Sequence, residues 1–317
     1  MARGWGYDQV PATLPGATGG RLTDAQRLRR QAREVLAGMG VIEVQTYPFL
    51  SQAALDQLGL PDDDPRRQTL RLANPLSEET PELRTTLLPS LAEVARRNLA
   101  RGLEGVAVYE LGAVFLPNPK EELPDEPLTL GIVLAGQAPA GRHDDPRRPY
   151  DFADAKGVVE GLAAALGVPG VGYRPAEPMP YHPGRCAAVH LEDRPVGVLG
   201  QLHPRVAAAC ELPAAAFAVE LELGPLLAAV PKMRPAATPS PYPELSFDVA
   251  FLVPPGVAAS DLEDVLGEAG GELLARLTLF DAYQGPPLPP GHRNLAYRVA
   301  LQAPDRTLTD ADGAAVR

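Results

Sequence analysis

Cysteine is nearly absent. Cys186 and Cys210 are the only two in 317 residues, and no ligand-like spacing links them. That excludes a disulfide-stapled scaffold and leaves free, buried thiols in a reducing cytoplasm as the expectation. Long apolar runs are lacking too: no stretch approaches the ~18 residues that argue for a membrane span. Met1 leads through Arg3 into a Gly/Asp/Pro-rich turn, not into a signal sequence. Basic residues are outnumbered, 29 against 40 acidic, for a formal net charge of −11. Broad, sequence-blind binding to phosphate backbones needs clustered Lys and Arg, so any nucleic-acid contact must be local. A Gly-rich phosphate loop, HExxH and GxSxG are all missing. His182 and Cys186 are four apart, but Pro183-Gly184 between them precludes a helical ligand pair. No second Cys/His cluster completes a four-ligand site, so no metal ligand is assigned. His203, just ahead of Pro204, has the place of a structural residue at a helix start.

What is present is a globular composition, 45% hydrophobic and 22% charged, long enough for two domains with real cores. The 36 prolines and 30 glycines are scattered among periodic segments, so they mark tight loops and not disorder. Residues 21–39 are predicted as a helix. Thr23 with Gln26 three residues on fits a capping box, and Leu28, Ala32, Val35, Leu36 and Met39 form one apolar stripe. Gly40 ends it, and a strand follows over 41–46. A short helix is expected over 51–59. Further strands are expected over 106–111, 128–135, 185–191, 196–202 and 216–221, with helices over 153–166 and 225–230. The 185–191 and 196–202 strands pair as a hairpin. Strands in this order with helices to the side indicate an antiparallel α+β domain. The segment PKMRPAATPSPYP, 231–243, is an extended linker, because its prolines cannot join a helix or a central strand. Beyond it the order is strand 246–253, helix 259–269, strand 273–283, strand 294–302 and a helix from Thr309. That is βαββα, one strand short of a ferredoxin-like fold.

The stretch NPLSEETPELRTTLLPSLAEVARRNLARGLEGVAVYELG, 74–112, organises the first domain. Pro89 suits a first helical turn. Leu88, Leu91, Val94 (or Ala95) and Leu99 recur at helical spacing, and Arg96, Arg97 and Arg101 crowd the last turn. This stretch resembles the β chain of bacterial phenylalanyl-tRNA synthetase. GYDQVP, DFADAKGVVE, HPGRCA, GVLGQLHP and APDRTLTD match in register along the chain. The resemblance covers essentially all 317 residues, but only the C-terminal part of such a β chain.

The resemblance implies a fold and a role. The fold is α+β: a class II synthetase-like, catalytic-like but non-catalytic domain over 21–230, then an anticodon-binding ferredoxin-like domain over 244–317. Residues 1–20 would be the remnant of a preceding helical domain, and the last domain would be truncated after Arg317. The helix–glycine–strand–proline pattern near residue 40 resembles the first signature motif of class II synthetases, although any helix–strand pair around a core fits the same pattern. Arg84 and Glu110 lie where a second motif would. The stretch FAVELELGPLLAAV, 217–230, in the place of the third, contains no arginine. An adenylate-forming site needs a cation over the phosphates, so the catalytic assignment is none. This chain binds no cofactor; ATP and Mg²⁺ belong to the complete complex. The partners implied are the α chain, in an α2β2 heterotetramer, and phenylalanine tRNA. The expected α-chain surface includes Leu28, Val35, Leu91 and Val94. The expected anticodon contacts are Ala250, Asp281, Tyr283 and Asn294. Asp281 can accept from a guanine edge and Tyr283 offers a ring for stacking, while Tyr283 and Phe280 as plain sheet-packing aromatics is the competing reading. Asn294 replaces the family's usual Ser. Phe247 replaces its usual Arg, which is expected to remove a charge on the RNA side. Two other readings stay open: a free-standing partner- or RNA-binding protein derived from that chain, and a self-sufficient ligase, against which the arginine-free 217–230 stretch counts.

Overall fold

The computed structural model describes residues 19–140, 144–233 and 239–316. GYDQVP, most of the expected remnant and the middle of the Pro-rich segment lie outside the described residues. The chain divides into two units, residues 1–171 with 176–230, and residues 172–175 with 231–317.

Helix α1 (Asp24–Gly38) opens on the predicted capping box: Gln26 N donates to Thr23 Oγ at 3.2 Å, and Thr23 N donates to Gln26 Oε1 at 2.9 Å. Those bonds satisfy two of the amide donors that a helix start leaves free. Ala32 and Leu36 are its buried residues. The strand expected over 41–46 is shorter than that, β1 (Ile42–Glu43), and runs parallel to a later strand. The segment after it holds β2 (Phe49–Leu50), α2 (Gln52–Gln57), β3 (Leu70–Arg71) and β4 (Glu82–Leu83). These strands form a small sheet of order β2-β4-β3 that the sequence did not suggest.

Helix α3 (Leu88–Ala100) is the Pro89 helix, and β5 (Gly105–Ala113) and β6 (Leu128–Gly136) follow it. The elements that follow are α4 (Phe152–Leu166), β7 (Val171–Pro175), β8 (Tyr181–Leu191), β9 (Arg194–Leu202), α5 (Pro204–Ala209), β10 (Ala216–Glu222) and α6 (Leu223–Ala228). The main sheet has the order β1-β5-β6-β10-β9-β8-β7, antiparallel from β5 through β8.

Helix α3 lies against β5 and β6. Its approach depends on Gly131: a Cβ there would stand 2.7 Å from Leu91 Cδ1 and 2.8 Å from Leu87 Cβ. Leu87 and Leu91 are fully buried as a result. Arg96 and Arg97 do not crowd the helix end as free charges. Each donates to Glu93 from its Nε at 2.6 Å, and that pairing, Arg96 first, holds the Glu93 carboxyl down at about 2. His203 caps α5, its Nδ1 accepting from Arg205 N at 3.1 Å. Both cysteines are free and buried, and burial pushes the Cys186 thiol up to about 12. No helix among the described residues is long and apolar enough to cross a membrane.

The second unit contains β11 (Leu245–Val253), α7 (Ala259–Gly270), β12 (Leu274–Tyr283), β13 (Arg293–Leu301) and α8 (Asp310–Val316), in the βαββα order read from the sequence. Its sheet has the order β11-β13-β12, antiparallel throughout. Tyr297, Leu295 and Val253 pack with Leu262 and Leu266 of α7. Leu301 and Val299 pack with Val316 of α8. One face of the sheet is thereby covered and the other is left open.

Candidate nucleic-acid interface

Along β11 the exposure alternates, with Ser246, Asp248, Ala250 and Leu252 exposed and the odd-numbered residues covered. A strand's side chains alternate between faces, so the even positions belong to the open face. Register carries this face across the sheet. Ala250 stands opposite Ala296, and Ala296 opposite Asp281. One row further, Leu252 stands opposite Asn294, and Asn294 opposite Tyr283. The four residues named from the resemblance therefore sit in two adjacent rows of one face, although they come from three strands.

Their chemical states differ in a useful way. The side chains of Asp281 and Asn294 make no hydrogen bond or ion pair among the described residues, and Asp281 is exposed. Asp248, one row away, is spent: Arg298 donates to both of its oxygens at 2.8 and 2.9 Å. That guanidinium holds the Asp248 carboxyl below its usual range. Tyr283 is 45% exposed, and its hydroxyl donates to Pro286 O at 2.5 Å. The loop after β12 thus holds the phenol end while much of the ring stays open.

Two features of this face were not visible in the sequence. A bulge between Leu279 and Asp281 interrupts the β12–β13 register. Phe280, at the bulge, lies 5.4 Å from the Arg298 guanidinium, a cation–π contact. The alternation of Ser246, Asp248 and Ala250 was the available signal for the Asp248–Arg298 pair, but its partner needed the register. One expectation is corrected. Phe247 packs on the covered face with Leu301 and Val316, so its position does not add or remove a charge on the open face. β11 is an odd/even strand, and 247 is odd.

The first unit also corrects an expectation. Leu91 has no exposed surface even in the isolated chain, because α3 presses it onto Gly131. It is a core residue and presents nothing to a partner. Val94 is half-buried and packs against the same core. Leu28 and Val35 on α1 remain half-exposed. Arg84 is committed inside the protein: its Nη1 donates to Glu110 Oε1 at 2.8 Å and to Thr46 Oγ at 3.0 Å, and its Nε to Ala113 O at 2.9 Å.

Residues 10–223 match the family model of the phenylalanyl tRNA synthetase beta chain CLM domain, and residues 240–316 that of the ferredoxin-fold anticodon binding domain. The chain is thus an α+β protein made of a synthetase beta-chain CLM domain followed by a ferredoxin-fold anticodon-binding domain. The phenylalanine–tRNA ligase beta subunit of Moorella thermoacetica is 43% identical over 318 residues, covering 98% of this chain and 39% of that protein. That of Symbiobacterium thermophilum is 43% identical over 319 residues, covering 98% and 35%, and that of Nocardia farcinica 40% over 335 residues, covering 98% and 40%. This chain belongs to the phenylalanyl-tRNA synthetase β chain family, and it spans about two fifths of the length of these relatives. Among solved structures, a pyrrolysyl-tRNA synthetase from Desulfitobacterium hafniense aligns with a TM-score of 0.48 over 63% of this chain and 67% of that one, at 16% identity. That likeness is too distant to bear on function.

Proposed function

We propose that this chain serves as the C-terminal part of a phenylalanine–tRNA ligase β chain, supporting aminoacylation without performing it. It assembles with a catalytic α chain, as in an α2β2 heterotetramer, in a cytoplasmic setting, and its terminal domain contacts the anticodon of phenylalanine tRNA. ATP and Mg²⁺ are used at the α chain. The observation that carries the reading is the open face of β11-β13-β12. Asp281 and Asn294 have unspent hydrogen-bonding groups beside the half-exposed ring of Tyr283. Unpaired bases are recognised by stacking and by hydrogen bonds to their edges. Tyr283 supplies the stacking surface, Asp281 accepts from a guanine amino and imino edge, and Asn294 can both donate and accept. Ala250 keeps the neighbouring row low, so that a base can approach.

Titrating the anticodon stem-loop of phenylalanine tRNA tests this. Tyr283→Ala should cost about 1–3 kcal/mol of binding, with Asp281→Asn weakening it further. The reading fails if Tyr283→Ala folds normally and binds with unchanged affinity.

Support for the partner surface comes from α1 and β1. Ile42 is 66% exposed and Leu22 49% exposed, in company with half-exposed Leu28 and Val35. Exposed apolar residues in a group are characteristic of interfaces. Leu28→Ala combined with Ile42→Ala should weaken capture of the α chain by about 2 kcal/mol, measured by titration calorimetry. Undiminished affinity would put the interface elsewhere.

A further inference from the structure

A cavity of about 420 Å³ opens in the first unit, between the ends of β5 and β6 and strands β8, β9 and β10. Its walls are largely apolar, supplied by Val114, Leu116, Met179 and Val198. Polar residues line it too: Thr85, Thr129 and Glu222 are bonded within the protein, whereas Arg66, Tyr181 and Glu220 each bring a group the protein does not use.

Tyr181 is 2% exposed, yet its hydroxyl has no hydrogen-bond partner. A buried, unpaired hydroxyl costs stability, and a native structure rarely keeps one without a reason. Glu220 lies in the middle of β10. Its Oε1 accepts from Thr86 Oγ at 2.6 Å and from Leu87 N at 2.9 Å, while its Oε2 takes no hydrogen bond among the described residues. Burial pushes this carboxyl upward, partly offset by the bonds from Thr86 and Leu87. Arg66 donates from Nε and Nη2 to Asp64 at 2.9 and 2.7 Å, and from Nη2 to Met179 O at 2.7 Å. Its Nη1 is left without a partner among the described residues.

One cavity therefore combines a free carboxylate oxygen, a free guanidinium nitrogen, a buried phenol and an apolar wall. Small-molecule sites have this composition, with a few convergent polar groups on an apolar surface. A carboxylate and a phenol suit an ammonium group, and a guanidinium suits a carboxylate. We propose that this cavity binds a free amino acid with a large apolar side chain, its ammonium at Glu220 and Tyr181, its carboxylate at Arg66, and its side chain against Met179 and Val198. The site uses none of the residues assigned to the anticodon or to the α chain, so it stands or falls separately from those assignments.

The test uses the full chain labelled with carbon-13 at its methionine methyls. Met179 lines the cavity, and its signal is assigned with Met179→Leu. L-phenylalanine and L-leucine are titrated to millimolar concentration. At least one should shift the Met179 methyl in a saturable way. Hydrocinnamate, which lacks the ammonium, and phenethylamine, which lacks the carboxylate, should each bind the cavity about tenfold more weakly than L-phenylalanine, if that is the amino acid that binds. Tyr181→Phe keeps the ring and removes a hydroxyl that bonds to nothing in the protein. It should melt no lower than the parent chain and bind about tenfold more weakly. Glu220→Gln should erase the preference for probes carrying an ammonium. The proposal is overturned if no amino acid shifts Met179, if the two deleted probes bind as well as the amino acid, or if adenosine alone binds. It is equally overturned if Tyr181→Phe melts lower, which would mean that the hydroxyl has a partner inside the protein.

Discussion

A chain carrying Arg84→Ala should lose about 3–5 kcal/mol of stability, the cost of leaving one member of a buried ion pair alone. Arg84 and Glu110 are each 4% exposed. Their 2.8 Å contact is one bond of a closed set. Thr46 Oγ accepts from Arg84 and donates to Glu110 Oε2 at 2.6 Å, and Ala113 O takes the Arg84 Nε. Removing the guanidinium strands the carboxylate in the protein interior, where an uncompensated charge is expensive. Replacing both partners, Arg84→Met with Glu110→Leu, should restore most of the loss, because the matched apolar pair has no charge to desolvate. Hydrogen exchange of the β5 and β6 amides against denaturant reads this out within the first unit. A loss below about 1 kcal/mol for Arg84→Ala would place the pair in water, contrary to its burial. Every hydrogen bond of the Arg84 side chain is to the fold.

Leu91→Ala should cost about 2–5 kcal/mol, the range for emptying a fully buried aliphatic site. Its Cδ1 occupies the space above Gly131, so neighbouring backbone cannot collapse into the void without moving the helix off the sheet. Any effect on binding of an α chain should follow the loss of folded protein and vanish when affinity is measured on the folded fraction. A specific loss of affinity at unchanged stability would return Leu91 to a partner surface.

Much of the fold could be read because its determinants are local. The Thr23–Gln26 box, the Pro89 start and the left-handed Gly167 that ends α4 (φ 68°) each act within a turn of the chain. Strands β5, β6 and β10 are long and apolar enough to declare themselves. The small β2-β4-β3 sheet has two residues per strand, too few to show any period, and β1 is equally short. The open face of the second unit was half legible. Asp281 and Tyr283 are two apart on one strand, so their shared face follows from the pleat. Ala250 and Asn294 joined them only through the resemblance, since register is a tertiary property. The cavity could not be read at all. Arg66, Tyr181 and Glu220 are scattered along the chain, and in sequence each is an ordinary residue of a loop or a strand. Arg84 and Glu110, which the resemblance puts where a second motif would lie, are partners in the core.

The central claim is that the open face of β11-β13-β12 is where the chain meets the anticodon. Mapping amide shifts of the nitrogen-15-labelled chain while adding the anticodon stem-loop of phenylalanine tRNA tests it most directly. The account predicts that shifts concentrate at Ala250, Asp281, Tyr283 and Asn294 and at their register neighbours Leu252 and Ala296. Shifts confined to the covered side, at Leu262 and Leu266 of α7, or an unperturbed spectrum at saturating RNA, would contradict it.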